Sequence, residues 1–198
     1  MKIPDSPVLG CLLLVVFGVA FVAIGTRTER WLSSRAEKRE LTKFAERVGD
    51  IRIEPDGLTW KDIHGLLPGK PVLKPAEQVM YLIEFHFGPR SGLVGGEFYA
   101  SETSHIQDDS RPIGMWVRSP FKGRFCGVRL GMRREEALAM IRKEYPYARF
   151  KENEFVFETG EWTIEFGGEW KLTQYRDKEK GTYSLSLNKT GFGTVPVT

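Results

Sequence analysis

The last third of the chain holds four strand-like segments in a row, EFVFET (154–159), EWTIEF (161–166), EWKLTQY (169–175) and TYSLSLN (182–188). They are rich in aromatic and branched residues, and only short glycine-containing or charged turns part them. Connections this short cannot carry a parallel crossover, so the segments have to form an antiparallel meander. In WTIEF, Trp162, Ile164 and Phe166 alternate with Thr163 and Glu165, which buries one face and wets the other. Phe166-Gly167-Gly168-Glu169 suits a hairpin turn, because both glycines tolerate positive φ.

Three earlier segments carry the same signature: QVMYLIEFHF (78–87), IGMWVRS (113–119) and FCGVRL (125–130). Two helices interrupt them. MRREEALAMIRKEY (132–145) brings Ala137, Leu138, Met140, Ile141 and Tyr145 to one side, with Glu135 and Glu136 early and Arg142 and Lys143 late, as the helix dipole favours. LTWKDIHGLL (58–67) opens with Thr59 and Asp62 in capping-box spacing and closes at Pro68-Gly69. Residues 50–198 are therefore expected to form an α+β domain, an antiparallel sheet packed by short helices on one face. GPRSGLVGGEFYASETSHIQDDSRP (88–112) reads as a long exposed loop with one short strand candidate at 97–100.

The amino-terminal side is of another kind. VLGCLLLVVFGVAFVAIG (8–25) is uncharged, and as a helix it spans about 27 Å against a hydrocarbon core of about 30 Å. Residues 1–25 are expected to act as a transmembrane anchor, so that the lipid bilayer is a partner through 8–25. The competing reading is a cleaved signal, for which Ala23-Ile24-Gly25 supplies small residues. Cys11 precedes the apolar stretch instead of following it, which argues against lipidation. Seven Lys and Arg follow the run within residues 26–49, against Lys2 before it. The positive-inside rule then favours a single-pass protein of bacterial inner-membrane type with a cytoplasmic domain, the periplasmic side being the alternative. Residues 26–49 read as a juxtamembrane helix, with Leu41, Phe44 and Val48 at helical spacing.

From Ile51 onward there are 21 Lys and Arg against 20 Asp and Glu. A near-neutral domain without a basic stripe is no phosphate-tracking surface, so nucleic acid is excluded as a partner. His64, His86 and His105 form no metal-ligand spacing, and no glycine-rich phosphate loop is present. No catalytic, cofactor-binding or metal-ligating set can be assigned. Cys126 reads as a small buried apolar residue in the FCGVRL strand; a hydrolase pairing it with His86 or His105 is the alternative. Glu102, Asp108 and Asp109 read as solvated charge. Trp60, Trp116, Trp162 and Trp170 read as core residues, with an aromatic recognition face as the alternative.

Cys126-Gly-Val-Arg-Leu-Gly-Met-Arg-Arg-Glu-Glu-Ala-Leu-Ala-Met-Ile resembles the opening of the small outer-membrane assembly lipoproteins (SmpA/OmlA, BamE-like) and of modules like the β-lactamase inhibitor protein. In such an opening Leu130 ends a strand, Gly131 permits a tight turn, Met132 plugs the core and Glu135-Glu136 start a helix. IRIEPDGLTWKDIHGLL reads as an earlier copy, with Gly57-Leu58 matching Gly131-Met132, so that 51–118 and 125–190 become tandem units. The sequence departs from the lipoproteins in lacking a lipidation site. The resemblance implies a binding module without catalytic residues whose partner is another protein, of the inhibitor, immunity or envelope-assembly type.

Overall fold

The computed structural model describes residues 34–54, 58–76, 81–90, 92–147, 149–151, 160–166 and 170–189. The chain divides into two compact units, Met1–Glu40 and Leu41–Thr198. In the first, the described residues 34–40 are helical; in the second, residues 41–48 are helical. The helical residues 41–48 of the second unit are called α1. Among the described residues no helix is long and apolar enough to cross a membrane; the run at 8–25 lies outside them.

After α1 come β1 (Arg52–Ile53), α2 (Trp60–Leu66), β2 (Val72–Pro75), β3 (Leu82–Phe87), β4 (Val94–Tyr99) and β5 (Gly114–Arg118). The same order then recurs as β6 (Arg124–Phe125), α3 (Arg134–Glu144), β7 (Phe150–Lys151), β8 (Gly160–Phe166), β9 (Trp170–Asp177) and β10 (Thr182–Lys189). One antiparallel sheet runs β2-β3-β4-β5-β10-β9-β8-β7, so the last strands of the two sets meet at its centre. β1 and β6 pair separately and in parallel, Ile53 opposite Phe125. The α+β class with an antiparallel sheet is thus the one the strand pattern predicts.

Alternation along each strand decides which side is buried. Ile83, Phe85 and Phe87 of β3, Met115 and Val117 of β5, and Leu185 and Leu187 of β10 point to one face, where Trp60 and Ile63 of α2 and Ala137 and Ile141 of α3 join a single core. Phe44, Ala45 and Val48 of α1 enter the same core. Trp60 meets Phe85 and Phe98 edge-on at ring-centroid distances of 5.1 and 5.3 Å. Helix α2 starts as its sequence predicts: the Thr59 side chain accepts from Asp62 N–H, and the Asp62 carboxylate accepts from Thr59 N–H at 2.9 Å.

Three expectations need correction. FCGVRL is not a strand: only Arg124–Phe125 pair, after which Cys126 (φ 51) and Gly127 (φ 76) turn the chain and Val128 bridges back to Phe125. The apolar residues there are buried by a tight turn, which period alone does not separate from a strand. The stretch 88–112 is not one exposed loop, because Val94–Tyr99 is an interior strand between β3 and β5. The glycines of this strand have a steric reason: a Cβ on Gly95 would sit 2.2 Å from Cζ2 of Trp116, whose indole lies across that strand. Trp116 is half-buried on the face away from the core, whereas Trp60 and Trp162 are buried in the core and Trp170 is half-buried and packs against it. The segment 154–159, Gly57 and the turn residues Gly167 and Gly168 lie outside the described residues, although Phe166 does stand opposite Trp170.

The Leu130-Gly131-Met132 turn has a definite partner. Gly131 takes φ 87, and its N–H donates to Oε1 of Gln174 at 2.8 Å. Nε2 of Gln174 and Nε1 of Trp162 both donate to the carbonyl of Met132, at 3.0 and 2.8 Å. Gln174 is 0% exposed, so this exchange satisfies a fully buried amide. Met132 is half-buried and packs against the core, as the turn motif predicts.

Replacing Phe85, 1% exposed among aromatic neighbours, should leave a cavity. Phe85→Ala is expected to cost about 3–5 kcal/mol, read as a lower urea midpoint with an unchanged slope. A loss under about 1 kcal/mol would show that this face is not the core.

Candidate functional site

The connection 100–113 between β4 and β5 is much longer than its counterpart 178–181 between β9 and β10. It is well ordered by its own bonds. Gln107 N–H donates to Oγ of Ser110 at 2.9 Å, Gln107 Nε2 donates to the Ser104 carbonyl at 3.1 Å, and Ser104 Oγ donates to Glu102 at 3.1 Å. Its carbonyls also cap the start of α2: Trp60 N–H donates to Ser110 O at 2.8 Å and Lys61 N–H to Asp108 O at 3.0 Å. Those amides have no partner inside the helix, so the connection and α2 hold each other in place.

Between this connection and the open ends of β3 and β4, away from their turn, lies an open groove of about 400 Å³. Its apolar lining is Phe98, Ala100, Ile106 and Ile113, and its rim carries Tyr81, Tyr99, His105 and Arg111. Tyr81 and Tyr99 are 54% and 63% exposed, and their rings lie 6.2 Å apart, tilted by 38°. Tyr81 adopts φ 70, uncommon for a bulky residue, and its carbonyl accepts from Ala100 N–H at 2.9 Å. That bond ties the two ends of the hairpin and fixes the tyrosine pair. His105 Nδ1 is 3.1 Å from Ser101 Oγ. No sequence signal marks the pair, since Tyr81 and Tyr99 become neighbours only through the β3–β4 register.

The sheet face turned away from the helices carries a second arrangement. One row of opposed residues runs Lys74, Glu84, Glu97, Gly114, Asn188, Lys171 and Glu165 from β2 to β8. Lys74 pairs with Glu84 at 3.1 Å. Beside this row the guanidinium of Arg118 stacks on the Trp116 ring at 4.2 Å. Partial burial, aided by the Glu84 charge, raises the Glu97 carboxyl above its ordinary pKa. Burial, with Lys74 and Arg118 adding to it, lowers that of His86 on the same face.

The candidates read from sequence are scattered. His86 is on this outer face, His105 on the groove, and His64 on α2, where its ring meets Trp60 edge-on at 4.4 Å. Cys126 is 3% exposed, in the turn after β6, its N–H bonded to the Ile53 carbonyl at 3.0 Å. Glu102, Asp108 and Asp109 are exposed in the connection. Among the described residues no three His, Cys, Asp or Glu side chains gather as a metal ion requires. No family model, curated protein or solved structure matches this chain.

The sign of the Glu97 effect follows from its raised folded-state pKa. The protonated form is favoured in the fold, so its contribution is present below the unfolded-state pKa and is lost as pH rises through the folded value. Glu97→Gln is therefore expected to raise the thermal midpoint at about pH 8, with the gain vanishing near about pH 4. An equal gain at both pH values would remove the carboxyl's titration as the cause.

Proposed function

We propose that the chain is a membrane-anchored, non-catalytic protein-interaction module, with residues 8–25 as a single-pass anchor. The observation that carries this reading is the groove with Tyr81 and Tyr99 held open at its rim. Tyrosine and arginine are enriched at protein contact surfaces because they give large contact area and directed polar groups at small entropic cost. Folding alone gives no return for holding two large aromatic side chains in water.

The recurring order of strand, helix and four strands favours a tandem of units over 51–118 and 125–190, and with it the resemblance to assembly-lipoprotein and inhibitor-type modules. An inhibitor or immunity-type role is the second reading on that ground. The burial of Cys126 weighs against a hydrolase, because a nucleophilic thiol has to be reached by its substrate. The charge balance favours a protein partner over nucleic acid.

A photo-crosslinking residue in place of Tyr99 is expected to trap one recurrent protein in intact cells, whereas the same residue in place of exposed Lys180, on the short β9–β10 connection, should not. Equal trapping at both positions, or none at Tyr99, would end the reading of the groove as a contact surface. For the anchor, a reporter fluorescent only in the cytoplasm, fused after Thr198, should be active with Met1–Gly25 retained by mass. Activity of an export-dependent reporter instead would place the domain on the other side.

A further inference from the structure

We propose that the groove recognises a short acidic segment of the partner protein, with an apolar side chain packed against the Tyr81–Tyr99 pair and an adjacent carboxylate held by Arg111. This inference rests on the interaction-module reading and adds the chemistry of what is bound.

Arg111 lines the groove, is exposed, and makes no hydrogen bond or ion pair among the described residues. Arg129, by comparison, is held by Asp50 at 2.8 Å and by the Lys122 carbonyl at 2.9 Å, Arg124 by Glu144 at 3.5 Å, and Arg118 lies on the Trp116 ring. The place of Arg111 beside Phe98, Ile106 and Ile113 puts a fork of donors next to apolar walls, a combination that suits a carboxylate with an apolar neighbour. The acids of the same connection do not supply one. Glu102, Asp108 and Asp109 are absent from the described lining, and Glu102 accepts from Ser104. With Arg111 and His105 as the ionisable groups of the described lining besides the tyrosines, the groove complements negative charge.

The shape selects a peptide over a free small molecule. Small-molecule sites enclose most of their ligand, whereas this groove is half open to solvent, with the exposed tyrosine pair at its rim. Phe98, Ile106 and Ile113 give a docked side chain an apolar floor beside the tyrosine pair. The connection that builds these walls has no equivalent between β9 and β10. It is an addition to one half of the sheet, held rigid against α2, which is what a preformed recognition site needs.

The test selects a displayed library of random heptapeptides on the purified full-length chain in detergent, in parallel with Tyr99→Ala and Arg111→Gln. Both substitutions are at exposed positions, so wild-type unfolding midpoints establish that the variants are folded. The expected result is enrichment of sequences in which Asp or Glu adjoins an aromatic or aliphatic residue. Their affinity should fall about tenfold or more in Arg111→Gln and weaken with added salt. Tyr99→Ala should lose the preference for the apolar neighbour. Enrichment of sequences without an acid, undiminished binding to both variants, or no enrichment would overturn the inference. A recurrent crosslink from Tyr99 alongside any of these would leave the module standing and remove only the acidic specificity; loss of both would remove the module.

Discussion

The register between β5 and β10 holds the two halves of the sheet together. Met115 stands opposite Leu187 and Val117 opposite Leu185, all four buried, while Trp116 stands opposite Ser186 on the other face. A slip of one residue would turn the four apolar side chains outward and drive Trp116 into the core, so burial fixes the register strongly. Each half contributes its last strand to this seam. The edges are thereby left to β2 and to the two-residue β7, and β2 ends in Pro75, which has no N–H to offer another strand.

The two halves are braced away from the seam by the β1–β6 pair and by polar contacts of high sequence separation. Glu144, at the end of α3 and 13% exposed, faces both Arg52 of β1 and Arg124 of β6. A carboxylate at a helix C-terminus is opposed by the helix dipole, and two guanidinium groups offset that. The Gly131-Met132 turn works in a similar way on β8 and β9. Its amide and carbonyl complement both ends of the Gln174 side chain, and the carbonyl also satisfies the Trp162 indole. A buried amide with every group paired is costly to rearrange, so this turn sets how α3 enters the core.

Elements whose cause is local were legible in the sequence. The Thr59–Asp62 box, the charge order of 132–145 and the alternation in 161–166 each depend on residues within one turn or one strand, and each appears as predicted. What failed depends on neighbours far along the chain. Gly95 and Gly96 carry the composition of a loop, yet they lie in a paired strand, and they are glycine there because Trp116, the Gly114 carbonyl and Phe85 occupy the space side chains would need. FCGVRL has the composition of a strand, yet Cys126 and Gly127 take positive φ to bring Val128 back onto Phe125. The tyrosine pair is a third case, created by a hairpin whose two ends are eighteen positions apart.

The groove follows from a departure from repetition. Where β9 passes to β10, residues 178–181 make a tight turn in which Asp177 accepts the N–H groups of Glu179 and Lys180 at 3.1 and 3.0 Å. The corresponding β4–β5 connection rises away from the strands, caps α2 through Ser110 and Asp108, and returns at Ile113, whose N–H and carbonyl join Glu97 of β4 and Lys189 of β10. Its ends are therefore fixed by the central strands and its middle by a helix of the core, so a groove on its inner side keeps its shape without a ligand. A site of this kind gives up little entropy on binding, and its side chains can vary without disturbing the seam on which the fold depends.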